Sequence, residues 1–262
     1  LEAVRAGEVQ LVVGTHAVLQ EGVEFDKLGL GIVDEQHRFG VRQRAVLRSK
    51  GDNPHILVMT ATPIPRTLAL TVYGDLTLSV IDELPPGRSP IKTLIIGEQN
   101  QTRAFDLLRD ELAKGRQAYV VYPLVEESEK SDLAAATQGA EQLKNEVFPE
   151  AEIALLHGRM SPDEKESIMQ RFKDRQIDIL VATTVIEVGI DVANASVMVV
   201  QHAERFGLAQ LHQLRGRVGR GSLPGSCLLI SSNRCSADGE KRLQVMVSTS
   251  DGFKIAEADL EI

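Results

Sequence analysis

The stretch Leu28-Gly29-Leu30-Gly31-Ile32-Val33-Asp34-Glu35-Gln36-His37 is an apolar run that ends abruptly in two adjacent carboxylates. It reads as a strand, and short oxygen ligands at a strand's carboxyl edge suit a hard cation and an aimed water. Asp34 would hold Mg²⁺ through water, and Glu35 would orient or deprotonate the attacking water, as phosphoryl transfer requires. His37 adds a polar contact toward the same nucleotide. Adjacent acids also occur on ordinary surfaces, so the weight of this reading comes from what accompanies it.

Working outward, short apolar runs alternate with helical patterns almost throughout, the pattern of parallel sheets with crossover helices. The fold class is therefore α/β. Residues 10–13, 28–33 and 56–59 are the strand candidates of the first half. Residues 93–96, 118–122, 153–156, 179–182, 197–200 and 227–230 supply a fuller sheet in the second. Between the halves, Leu84-Pro85-Pro86-Gly87-Arg88-Ser89-Pro90 excludes helix and favours an extended connector. The spacing predicts a helix over 103–114 that buries Phe105, Leu108 and Leu112 and stops at Gly115. Ser161-Pro162-Asp163-Glu164 predicts a capping box for a second helix, whose Ile168, Met169 and Phe172 form an apolar stripe.

Composition narrows the function classes. The chain has 262 residues, 43% of them hydrophobic and 25% charged, with a formal net charge of −8. That balance is ordinary for a folded protein. No apolar stretch approaches the roughly 18 residues that cross a bilayer, so no membrane partner and a cytoplasmic location are expected. Cys227 and Cys235 match neither a paired redox motif nor a zinc framework, and both are expected to be reduced. Net acidity argues against indiscriminate polyanion binding. Arg205, Arg215, Arg217 and Arg220 nevertheless cluster late in the chain.

Four further motifs carry chemistry. Thr60-Ala61-Thr62-Pro63 follows an apolar run, which would place Thr60 and Thr62 beside Asp34 and Glu35 to relay the nucleotide state. Leu156-His157-Gly158-Arg159-Met160 stands before the capped helix, where His157 and Gly158 could take a nucleic-acid phosphate. In Ala182-Thr183-Thr184-Val185-Ile186-Glu187-Val188-Gly189-Ile190-Asp191, the hydroxyls of Thr183 and Thr184 suit DNA, while Gly189 and Asp191 suit ribose or phosphate. Thr15 is a further DNA-contact candidate. Gln213-Leu214-Arg215-Gly216-Arg217-Val218-Gly219-Arg220 sets arginines three apart on an expected helix, and their fixed forks would neutralise charge on a transferring phosphoryl group. Gln213, Arg217 and Arg220 are accordingly catalytic candidates.

Taken together, these motifs occur in the order found in superfamily 2 helicases and translocases. More narrowly, Val33-Asp34-Glu35-Gln36-His37-Arg38-Phe39-Gly40-Val41, Met59-Thr60-Ala61-Thr62-Pro63-Ile64-Pro65-Arg66-Thr67-Leu68 and Glu83-Leu84-Pro85-Pro86-Gly87-Arg88 closely resemble the RecG family of bacterial branched-DNA helicases. The transcription-repair coupling factor is the nearest alternative. Its acidic motif reads Asp-Glu-Glu-Gln-Arg-Phe-Gly, whereas Gln36 and His37 here stand between the acids and Arg38. A non-catalytic module that kept helicase architecture is the alternative from another class.

The resemblance implies two RecA-like lobes of the P-loop NTPase type. Residues 1–86 would be the later part of the ATP-binding lobe, 87–91 a linker, 92–240 the second lobe and 241–262 the start of a helical hairpin. It also implies ATP and Mg²⁺ as cofactors, and stalled forks, Holliday junctions and duplex DNA as substrates. A monomer is expected, with a single-stranded-DNA-binding protein as a further partner. No Gly-x-x-x-x-Gly-Lys-Ser/Thr phosphate loop is present and the chain opens at Leu1, so it reads as part of a longer protein. This predicts that phosphate release from ATP by the 262-residue chain alone stays at background. Robust turnover by that polypeptide in a steady-state assay would contradict the prediction.

Overall fold

The computed structural model describes residues 1–35, 41–60, 77–81, 83, 89–123, 129–183, 192–221 and 223–262. It divides into two compact units, Leu1–Thr62 and Pro63–Ile262. Of the expected connector Leu84 to Pro90, residues 84–88 lie outside the described residues.

In the first unit, α1 (Glu2–Arg5) leads to β1 (Leu30–Val33), α2 (Val41–Ser49) and β2 (His55–Val58). The two strands pair in parallel with Val33 opposite Val58, so the helix is the crossover that parallel pairing requires. Gly31 is glycine for a steric reason: a Cβ there would stand 2.9 Å from the Leu47 side chain. Its absence lets α2 settle on β1, and Leu19, Val33 and Leu47 close a small core beneath. The strand expected at residues 10–13 is not formed. That segment joins no sheet among the described residues, with Leu11 79% and Val13 87% exposed. Extended apolar sequence becomes strand only where a neighbour accepts its ladder hydrogen bonds.

The second unit runs β3 (Lys92–Gly97), α3 (Gln101–Ala113), β4 (Gln117–Val121), α4 (Glu129–Gln142), β5 (Ile153–Leu156), α5 (Pro162–Lys173), β6 (Ile179–Ala182) and β7 (Ala195–Val200). It ends with α6 (Leu208–Arg215), β8 (Ser226–Ser231), α7 (Ala237–Ser248) and α8 (Gly252–Glu261). The six strands form one sheet in the order β3-β8-β7-β4-β6-β5, every pairing parallel. All six match the runs expected from sequence to within two residues at either end. α3 stops where predicted, with Gly115 taking a left-handed turn at φ 71.

Alternation along the strands feeds two cores. Tyr119, Val121, Met198 and Val200 point to one face and pack with Met169 and Phe172 of α5, Leu208 and Leu211 of α6, Leu243 of α7 and Ile255 of α8. Ala118, Val120, Val197 and Val199 point to the other, against Ala104 and Leu108 of α3 and Leu143 beyond α4. Burial on both faces explains why the strands read as continuous apolar runs. The capping box forms as expected: Ser161 Oγ accepts from Glu164 N, and Glu164 Oε2 accepts from Ser161 N at 2.8 Å.

Polar groups at the start of β4 lock the layers together. Gln117, 2% exposed, donates through Nε2 to the Phe172 carbonyl at 2.6 Å and the Ile177 carbonyl at 2.7 Å, while its Oε1 accepts from Asn194. Burial pushes the nearby Glu111 carboxyl up, but hydrogen bonds from Lys114, Ser196 and Arg116 outweigh it and hold its pKa below the ordinary value. Replacing Gln117 by Leu strands buried polar partners, which costs roughly 1–3 kcal/mol. A lowered urea midpoint at unchanged m-value is the expected result, and an unchanged midpoint would contradict this account.

Candidate functional site

The acidic site grows from the end of β1. Parallel pairing runs one residue past β2, with Met59 N donating to the Val33 carbonyl at 2.8 Å. Asp34, Glu35 and Thr60 therefore leave the same carboxyl edge together. Asp34 is exposed and its Oδ1 accepts from Glu35 N at 2.8 Å. That bond accompanies a left-handed Glu35 backbone, φ 52. A non-glycine residue held there stores backbone strain of about 1–3 kcal/mol, a pattern that clusters at functional sites. Thr15 lies in the same unit, exposed, at the start of the 3₁₀ turn His16–Leu19. His37 and Thr62 lie outside the described residues.

In the second unit, the candidates occupy opposite edges of one sheet. His157 follows β5 and Thr183 follows β6, tied by Thr183 N donating to the Leu156 carbonyl at 3.2 Å. Thr183 is fully buried, and among the described residues neither its Oγ1 nor His157 Nδ1 has a hydrogen-bond partner. Buried polar atoms normally find partners, so such orphans mark a place where a ligand or water would complete the bonding. Gly158 sits in the turn before α5, its carbonyl held by Lys165 Nζ at 2.7 Å. The third orphan at this edge is Gln201 Nε2, just past β7, which sequence reading passed over because a lone Gln carries no motif. Thr184, Gly189 and Asp191 lie outside the described residues.

Gln213 is on α6, half-buried, but Arg217 and Arg220 are not helical as expected. The helix stops at Arg215 with Gly216 as its cap, Arg217 N turns back to the Leu214 carbonyl at 3.0 Å, and Gly219 reverses the chain at φ 64. Two glycines thus end the helix early and set the arginines on a turn. Arg220 is exposed, with Nε donating to the Gly216 carbonyl at 3.0 Å, and Arg217 is half-buried. Gly219 N donates to the carbonyl of Ala195, the first residue of β7, which fixes this turn at the amino edge.

Arg215 departs from the exposed basic cluster that sequence suggested. It is 4% exposed, and Nη1 donates to the carbonyls of Met246 at 2.7 Å and Thr249 at 2.9 Å, with Nη2 3.1 Å from His212 Nδ1. Those carbonyls belong to the end of α7, where a helix leaves acceptors unpaired and favours positive charge. Burial lowers the Arg215 pKa from its ordinary value. The signal was present: Leu208, Leu211 and Arg215 share one helical stripe, so Arg215 stands on the core face.

Among the described residues no helix is long and apolar enough to cross a membrane, and no cluster of three His, Cys, Asp or Glu groups could hold a metal unaided. Mg²⁺ needs no such cluster, because one or two carboxylates with substrate phosphates and water complete its shell. An exposed Asp34 beside Glu35 fits that donor set.

Comparison with known proteins follows this geometry. The helicase conserved C-terminal domain family matches residues 103–222. The ATP-dependent DNA helicase RecG of Synechocystis is 56% identical over 98% of this chain, and that of Escherichia coli is 53% identical over 100% of it. A solved structure of RecG bound to a three-way DNA junction matches 99% of the chain with a TM-score of 0.80 at 47% identity. The chain belongs to the RecG family. It spans 31% and 38% of the lengths of those two RecG relatives, and 33% of the RecG chain in the junction structure. Yeast Dbp5 bound to RNA and ADP BeF3, with a TM-score of 0.61 at 16% identity over 94% of this chain and 66% of its own, shares the fold.

An Arg215→Met substitution keeps most of the buried volume of this RecG-family chain but leaves the α7 carbonyls unmet. Leaving buried neutral acceptors without their donor in this way costs roughly 1–3 kcal/mol. Thermal unfolding should shift down accordingly, and a melting temperature within one degree of the unsubstituted chain would contradict the clamp.

Proposed function

We propose that this chain supplies ATP-hydrolysing and DNA-contacting parts of an ATP-dependent DNA helicase that acts on branched DNA such as stalled forks and Holliday junctions. The observation that carries this reading is the likeness, at 47% identity over 99% of the chain, to RecG bound to a three-way junction. It is preferred to the coupling-factor reading because Gln36 and His37 stand between the acids and Arg38, and to the binding-module reading because the Asp34-Glu35 pair and the Arg217-Arg220 turn are both present, and a module that only binds needs neither.

In this proposal Asp34 holds Mg²⁺ through water and Glu35 orients the water that attacks ATP, with Gln213, Arg217 and Arg220 offsetting the charge that spreads over the phosphoryl group. When held there, Mg²⁺ would supply charge neutralisation to the nucleotide's phosphates. His37, Gly189 and Asp191 contact the nucleotide, and Thr60 and Thr62 relay its state. Thr15, His157, Gly158, Thr183 and Thr184 take DNA phosphates. Neutral hydroxyls and amides position a strand without reading its sequence, which suits a motor that must step along any DNA. The orphaned Thr183 Oγ1 and His157 Nδ1 support that assignment. The protein acts as a monomer in the cytoplasm, with a single-stranded-DNA-binding protein as a further partner.

The test is ATP hydrolysis by the full-length protein that carries this chain, with forked, duplex and single-stranded DNA. Arg220→Ala should lower DNA-stimulated kcat by roughly 10³–10⁵, the scale of a lost arginine finger. Turnover that ignores DNA, or that survives this substitution, would overturn the proposal.

A further inference from the structure

We propose that Ile91 is a positioning residue for the arginine turn, joining the chain that enters the second unit's sheet to the backbone that carries Arg217 and Arg220. The inference rests on the helicase reading and adds to it a route by which the connector acts on the turn.

Ile91 is the last residue before β3, half-buried against the core face that also holds Leu214 and Val218. Its neighbour Lys92 donates through its backbone N to the Gly225 carbonyl at 2.9 Å, which ties the start of β3 to the residue before β8. Gly225 and Gly219 lie backbone to backbone. A Cβ placed on Gly225 would stand 3.1 Å from Gly219 Cα and 3.4 Å from Ile91 Cγ1. One placed on Gly219 would also stand 3.4 Å from Ile91 Cγ1. The Ile91 side chain therefore covers both bare glycines at once. Gly219 is the left-handed residue of the turn and is bonded to Ala195, so the turn is pinned where β3, β7 and β8 all begin.

The sequence before Ile91 suits a transmitting role. Pro85, Pro86 and Pro90 precede Ile91 in the sequence, and a proline-rich connector passes on a displacement that a Gly/Ser-rich one would absorb. A displacement of Ile91 reaches the Gly219 backbone, and with it Arg217 and Arg220 on either side. Close-packed contacts shift as units rather than deforming smoothly, so the displacement is handed on. Ile91 touches no reacting atom; it acts through the turn.

Full-length protein carrying the chain is compared as unsubstituted, Ile91→Ala, Ile91→Val and Ile95→Ala. Ile95 is another half-buried β3 residue on the same core face, and it reports what mere loss of packing does. Two quantities are read: DNA-stimulated kcat with its KM for ATP, and hydrogen exchange at the Gly219 amide. Ile91→Ala should lower kcat by about 10-fold to 10²-fold, the scale of a catalytic group displaced by about an ångström, while KM stays within about twofold. Gly219 exchange should rise in the same variant. Ile91→Val should restore both, and Ile95→Ala should change neither beyond about twofold. Equal effects from Ile91→Ala and Ile95→Ala, or an unchanged kcat in Ile91→Ala, would overturn the inference. Unsubstituted protein without DNA-stimulated turnover would instead overturn the helicase reading, and unchanged Gly219 exchange in Ile91→Ala would still refute the contact by itself.

Discussion

A parallel sheet must be covered on both faces, and that requirement leaves only its two edges for chemistry. In the second unit α3 and α4 lie on one face, and α5, α6, α7 and α8 on the other, and the strands between them are largely apolar. The described candidates of this unit are consequently at a strand end or in a loop that meets one, except Gln213, which stands on α6. His157 and Thr183 end β5 and β6 at the carboxyl edge, whereas the arginine turn begins the approach to β8 at the amino edge. In the proposed function, DNA contact and phosphoryl-charge compensation fall on opposite rims of one packed slab. Such a slab can carry a displacement from rim to rim because its packed interior does not deform continuously.

Two devices adapt this slab to the candidate site. Glycines end α6 early and let the turn lie flat on the strand starts, so the arginines are set by backbone contacts rather than by a helix face. Arg215, buried one residue before the cap, then fastens the end of α6 to the end of α7. The same short segment therefore contains arginines of two kinds, one buried in structure and two on the turn that the proposal assigns to chemistry. Their difference is one of periodicity: Arg215 completes the stripe of Leu208 and Leu211, and the later two lie beyond the helix that defines that stripe.

Much of the site was legible in the residues. Asp34 and Glu35 at the end of an apolar run, Thr60 at the end of the next, and His157 and Thr183 after two more all follow from the rule that α/β sheets expose chemistry at strand ends. Gln201 was not legible, since an amide carries no spacing signature and only its lack of a partner singles it out. The helical placement of Arg217 and Arg220 was misread because Gly216 and Gly219 were taken as spacers, when one caps the helix and the other reverses the chain.

What the sequence determined by itself is the class of fold, the number of strands in the larger sheet, the capped α5 helix and the family. These follow from apolar periodicity, from local capping chemistry and from long specific strings, all of which are properties of neighbours along the chain. The tertiary structure alone decided that residues 10–13 stay unpaired, that Arg215 is a clamp, and which edge each motif occupies. Those outcomes depend on which distant backbone or carbonyl comes within hydrogen-bonding reach, and nothing in the local pattern of a strand or a helix encodes that distance.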